Sequence, residues 1–128
     1  MIVIDTSALI DSLCGTRRSA ARLREHIMEG DRVVLPSIVL YEWLRGPRTA
    51  EELRTQEDLF PAAQAVPFAA AEALIAANLY GKVPTPRGRE VDLAIAAVAI
   101  ARDAQLWTLN EVDFRDIPGL HLAGRTGR

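Results

Sequence analysis

The sequence predicts an α/β domain of three layers, α/β/α, with a mostly parallel central sheet. Three observations predict it. The opening run Ile2-Val3-Ile4 is apolar without alternation, which suits a strand covered on both faces. Strand-like and helix-like segments follow in the order βαα, βαα, βα, αβ, β, the alternation that builds parallel sheets through crossover connections. The stretch from Val91 to Ala101 is apolar on nearly every helical face and so has to be buried against the sheet.

Taken in order, the first strand stops at Asp5, and Thr6-Ser7 precede a short helix from Ala8 to Leu13. Ser7, with Thr6 beside it, supplies hydroxyls to cap that helix. Gly15 breaks it, and Arg17 to Met28 forms the next helix, with Ala21, Leu23 and Ile27 inward and Gly30 as its stop. Arg32 to Leu35 is a strand ended by Pro36; Ser37 caps the helix Ile38 to Arg45, which Gly46-Pro47 closes. Thr49 and Glu52 have capping-box spacing ahead of a helix running to about Leu59, with Pro61 just beyond. Ala65-Val66-Pro67 reads as a short edge strand, and Ala69 to Tyr80 as an amphipathic helix with Leu74, Ile75 and Leu79 on one side.

Lys82 to Glu90, with two prolines and a glycine, is the longest irregular segment and the best candidate for a mobile loop. The buried helix follows, and Asp103-Ala104 turns it into a strand from Gln105 to Leu109. A helical turn from Asn110 to Phe114 and a last strand, Leu120-His121-Leu122, lead to a tail, Gly124 to Arg128, that reads as flexible.

At 128 residues and 49% hydrophobic, the chain is long enough for one domain with a proper core and too short for two, so residues 1–128 are read as one. No apolar run approaches the roughly 20 residues of a membrane span, and Asp5 interrupts what a signal peptide would need, which predicts a cytoplasmic protein. Cys14 is the only cysteine, excluding an internal disulfide or a cysteine metal cluster. A net charge of −2 argues against coating nucleic acid by bulk electrostatics. Of the 15 basic residues 14 are Arg, a skew that suits bidentate phosphate contacts and that a GC-rich genome also produces. Arg17, Arg18, Arg22 and Arg24, then Arg45 and Arg48, then Arg87 and Arg89 form clusters that either line a groove or sit as solvated faces.

The acids carry more. Asp92 has Ile95, Ala96 and Ala99 at i+3, i+4 and i+7, the inward stripe of the most apolar helix, so its carboxylate faces the interior. Burying it unpaired costs several kcal/mol, and the helix dipole returns only about 0.5 kcal/mol, so a cation or a set of donors has to compensate. Glu42, with Ile38 and Val39 behind it, repeats the problem, although Arg45 beside it offers a structural account. Asn110 and Asp113 stand three apart, which capping would explain; Asp11, Asp31, Asp58, Asp103 and Asp116 read as solvated. Asp5, Glu42, Asp92 and the Asn110/Asp113 pair each fall at the carboxyl end of a strand or on the helix covering it, so a parallel sheet brings them together. Carboxylates that crowd in this way repel unless a divalent ion sits among them. All-oxygen ligation points to Mg²⁺ or Mn²⁺ rather than Zn²⁺, because His26, on a surface helix, and His121 are not credible ligands or bases.

The residues Ile2-Val3-Ile4-Asp5-Thr6-Ser7-Ala8-Leu9, Glu42 after a strand and Ser37, Val91-Asp92-Leu93-Ala94-Ile95-Ala96-Ala97, and Leu106-Trp107-Thr108-Leu109-Asn110 with Asp113-Phe114 and Ile117-Pro118-Gly119-Leu120 resemble the PIN-domain ribonucleases, in particular VapC-like toxins of bacterial toxin–antitoxin pairs. The likeness covers essentially the whole chain in order. It implies a PIN-like fold and a Mg²⁺- or Mn²⁺-dependent endoribonuclease whose acids map onto Asp5, Glu42 and Asp92, with Ser7 or Thr6 supporting the first. Many members carry a fourth acid where this chain has Asn110, whereas toxin-like members often pair an asparagine there with an aspartate three residues on, here Asp113. The resemblance further implies 5′-phosphate and 3′-hydroxyl product ends, a homodimer, and a small antitoxin that inhibits the nuclease and helps bind operator DNA. Arg17, Arg45 and Arg89 are the candidates to position the RNA backbone.

Two other readings compete. A phosphatase with Asp5 as nucleophile would want an aspartate two residues on, where Ser7 stands. A catalytically silent PIN fold that only binds RNA or protein would follow if Asn110 removes an essential ligand.

Overall fold

The computed structural model describes residues 1–124; the tail expected to be flexible lies outside the described residues beyond Gly124. Strand β1 (Ile2–Ile4) leads into α1 (Thr6–Leu13) and α2 (Ala20–Met28), then β2 (Val33–Val34), α3 (Ser37–Arg45), α4 (Ala50–Leu59), α5 (Ala70–Tyr80), α6 (Glu90–Ala101), β3 (Gln105–Trp107) and β4 (His121–Leu122). Short 3₁₀ turns occupy Ala62–Gln64 and Glu111–Asp113. The four strands form one parallel sheet in the order β2-β1-β3-β4, with Ile2 opposite Val33 and Gln105, and Ile4 opposite Trp107. Crossovers that leave β1 in one direction and return to β3 in the other put helices on both faces of the sheet, the α/β class expected.

The unalternating β1 is buried at every position, as a central parallel strand requires. Leu93 to Ala99 of α6 are likewise all buried, because this helix packs on β1 and β3 and is covered in turn by α5. Val91, in its first turn, is exposed, as are the terminal residues Glu90 and Ala101. The capping box forms as the spacing predicts: Thr49 Oγ1 accepts from the Glu52 N–H, and Glu52 Oε1 from the Thr49 N–H. Gly30 adopts φ +88 just past α2, a left-handed turn that glycine takes without strain.

Several local expectations fail for identifiable reasons. The stretch 65–67 makes a single parallel bridge, Val66 to Pro36, rather than an edge strand, since Pro36 and Pro67 have no N–H with which to extend a ladder. Pro36, not Ser37, occupies the N-cap position of α3. On α2, Ala21 and Ile27 are exposed and His26 takes the inward place beside Leu23. Its ring packs on Trp107, with centroids 5.2 Å apart, while Nδ1 lies 3.0 Å from Asp31. On α5 Leu74 is 74% exposed and Leu79 buried; a helix so rich in alanine has no apolar stripe distinct enough to choose a face from sequence. Among the described residues no helix is long and apolar enough to cross a membrane.

Candidate active site

The carboxyl ends of β1 and β3 flank the point where the strand order reverses, the crevice in which open parallel sheets bind ligands. Asp5 stands there. Its N–H donates to the Trp107 carbonyl at 2.9 Å, extending the β1–β3 ladder by one residue and setting Asp5 beside Thr108. Asp5 is 4% exposed, and its Oδ2 accepts from Thr108 Oγ1 at 2.7 Å and Ser7 Oγ at 2.9 Å. Each hydroxyl has one hydrogen, and both are committed to Asp5. The Ser7 and Thr108 oxygens in turn accept from the N–H groups of Leu109 and Asn110, each at 3.0 Å. Donors therefore run from main chain to hydroxyl to carboxylate, each bond polarising the next. Burial pushes the Asp5 carboxyl above the usual carboxylate range despite these bonds, and the charge of Glu42 adds to the push.

Glu42 reaches the same place from α3, whose Val39 is buried one turn earlier. Its Oε1 accepts from Thr6 Oγ1 at 2.6 Å, and Arg45 Nη2 lies 3.4 Å from Oε2. The two hydroxyls after Asp5 thus divide: Ser7 supports Asp5, Thr6 supports Glu42. Neither caps α1, whose N-cap position is Asp5 itself.

Asp92, in the first turn of α6, is half-buried and has no hydrogen-bond donor among the described residues. Burial first, and then the charges of Asp5, Asp113 and Glu42, push its carboxyl up to about 6, with Arg89 pulling the other way. The charges of Asp5, Glu42 and Asp113 thus all reach Asp92. Asp113 is exposed on the 3₁₀ turn after β3, and Asn110, at the head of that turn, makes no side-chain cap, so the spacing of this pair does not reflect a capping box.

Among the described residues no three acidic, His or Cys side chains are gathered into a ready-made metal cage. The donor set still fits a hard divalent ion: it is all oxygen, and both Asp92 oxygens are free of protein donors.

Of the three expected RNA-facing arginines, Arg45 is at the cluster. Arg17 reaches instead to Glu51, at 3.5 Å with both side chains largely exposed. Arg89 is occupied by four hydrogen bonds: to Asp116 Oδ1 (2.6 Å) and Oδ2 (3.1 Å), and to the carbonyls of Asp113 (2.9 Å) and Pro84 (3.1 Å). Asp116, expected to be solvated, is thus paired, and Arg89 holds its carboxyl below the usual range. Asp11 also departs from expectation, accepting from Ser19 Oγ at 2.6 Å.

Sequence reasoning missed Thr108 and Asp116. A threonine at a strand end is ordinary by itself; only the register of β1 with β3 makes it the partner of Asp5.

A model of the PIN domain matches residues 2–120. Over 122 residues the chain is 34% identical to a protein named Ribonuclease VapC19 from Mycobacterium tuberculosis, covering 94% of this chain and 97% of the relative. Among solved structures, DNA-bound VapBC from Salmonella typhimurium superposes with a TM-score of 0.75 at 19% identity, covering 95% of this chain and 96% of that one. VapBC2 from Rickettsia felis, bound to a DNA fragment from their promoter, gives 0.71 at 21% identity over 96% and 98%. With its acids at the strand-order reversal and this likeness over nearly its full length, the chain belongs to the PIN-domain family and is a VapC-like member of it.

Proposed function

We propose that the chain is a Mg²⁺- or Mn²⁺-dependent endoribonuclease that acts as the toxin of a toxin–antitoxin pair. The observation that carries this reading is that the half-buried Asp92 carboxylate, at the carboxyl end of the sheet, lies within the charges of Asp5, Glu42 and Asp113, with Arg89 opposing them and Arg45 beside Glu42. The name of the 34%-identical relative supports the ribonuclease activity.

Asp5 and Asp92, with Glu42 and Asp113 beside them, would hold the ion. When bound, it supplies a water acidic enough to yield hydroxide near neutral pH, and positive charge against the phosphate. Ser7 and Thr108 fix Asp5 in one rotamer, so its oxygens are aimed before substrate arrives. Thr6 does the same for Glu42. Arg45, on the exposed side of Glu42, is placed to receive a phosphate of the RNA backbone. Hydrolysis then leaves a 5′-phosphate and a 3′-hydroxyl. The reading includes a cytoplasmic homodimer and a small antitoxin that blocks this groove and joins the toxin on operator DNA; VapBC complexes among the structural neighbours, two of them bound to DNA, support that partner.

The test is cleavage of a panel of structured RNAs by wild type and Asp92→Asn, with Mg²⁺, with Mn²⁺ and with chelator. Cuts that need metal and vanish in the variant are expected. No cutting with any metal, while RNA or an antitoxin peptide still binds, would replace the nuclease by a silent binding module.

A further inference from the structure

We propose that Asp116 and Arg89 are a positioning pair that clamps the start of α6 to the turn after β3, holding Asp92 and Asp113 in register; this rests on the ribonuclease reading above. Asp92 and Asp113 arrive on different segments, one on the first turn of α6 and the other on the 3₁₀ turn Glu111–Asp113. Among the described residues, the hydrogen bonds joining 82–90 to 111–116 all come from the Arg89 guanidinium.

The geometry is specific. Arg89 is the N-cap residue of α6, and its carbonyl accepts the first helical bond, from Leu93 at 2.9 Å. Fixing its side chain therefore fixes the end of the helix three residues before Asp92. The guanidinium meets Asp116 with both nitrogens, a fork that sets orientation as well as distance. The same group takes the Asp113 carbonyl, so the backbone that carries the Asp113 carboxylate is held by the clamp itself. Its remaining bond, to Pro84, pins the loop 82–89, which sequence composition marks as mobile. Only 17% of the Arg89 side chain is exposed, which suits a strut better than a group waiting for RNA. Asp116 touches none of the acids, so it acts on them through Arg89.

The test compares wild type with Asp116→Asn, which removes the charge, and Asp116→Glu, which keeps a carboxylate fork. Three readouts are taken: amide hydrogen exchange of 82–90 and 111–116, Mn²⁺ affinity by electron paramagnetic resonance, and kcat and KM for RNA cleavage. In Asp116→Asn, exchange in both segments should rise together, Mn²⁺ affinity should weaken roughly 10-fold and kcat should fall by a similar factor with KM little changed. Asp116→Glu should restore most of each. Unchanged exchange and Mn²⁺ affinity in Asp116→Asn would overturn the clamp, as would losses that track melting temperature and are not rescued by Asp116→Glu. Failure of the ribonuclease reading looks different: wild type cuts no RNA, whereas the exchange comparison still decides whether the clamp exists.

Discussion

The floor and the rim of the acidic cluster are built from different forces. The floor, at the ends of β1 and β3, holds Asp5 by two hydroxyls that are themselves held by main-chain amides, with no cation bonded to it among the described residues. The rim, at the start of α6 and the turn after β3, gives the Asp92 side chain no hydrogen bond among the described residues and holds Asp113 by an ion-paired arginine on its carbonyl. The floor is therefore held by neutral donors, whereas the rim carries a repulsion among its carboxylates that these bonds do not relieve; on the reading proposed above, a bound cation would relieve it.

Cutting the rim acid should have the largest effect. Asp92→Asn should lower RNA cleavage by a factor on the order of 10³ and leave the metal-free protein as stable as wild type or more so, because it removes a repelled charge. Cleavage assays and thermal melts check the two halves. Loss of the floor donors should do the reverse to stability: Thr108→Val leaves the buried Asp5 short of a donor and should cost about 1–3 kcal/mol in denaturant titration.

The pH dependence separates the regions further. Asp92 has its folded pKa raised to about 6 from 3.8, so the folded state takes up its proton first as pH falls. Its contribution is thus destabilising at neutral pH, and that penalty is relieved as pH falls from about 7 towards 4. After discounting for solvent at a half-exposed group, the relief is on the order of 1 kcal/mol. Metal-free melts across this range should show it in wild type and lose it in Asp92→Asn. The smallest effect concerns salt. Raising ionic strength should increase hydrogen exchange of 111–116, where charges hold the backbone, and leave the Leu109 and Asn110 amides unmoved. Arg17→Ala, away from both regions, should leave cleavage by the Mn²⁺-loaded protein within about 2-fold, whereas Arg45→Ala should weaken it.

The same division governs what the sequence reveals. Asp5 and Asp92 are legible because each interrupts an apolar run, and a carboxylate there needs a reason. Strand β1 and helix α6 are legible for the same cause, since unbroken apolar segments have to be buried. Thr108, Asp116 and the inward His26 are not legible, because each gains its meaning from a partner distant in the chain: Asp5, Arg89 and Trp107 respectively. Arg17 and Arg89 look alike in sequence, and only the folded loop gives one an exposed ion pair and the other a four-bond clamp. Leu74 and Ile27 failed because apolar residues on alanine-rich or short helices do not by themselves define an inward face.

On the reading proposed above, this cluster is a cation site completed by Asp92. Thermal melting of wild type and Asp92→Asn with and without Mn²⁺, at pH 5 and pH 7, tests it most directly. Mn²⁺ should stabilise wild type, more at pH 7 than at pH 5, and Asp92→Asn should lose most of the gain. An equal Mn²⁺ shift in both proteins, or none in wild type at either pH, would contradict it.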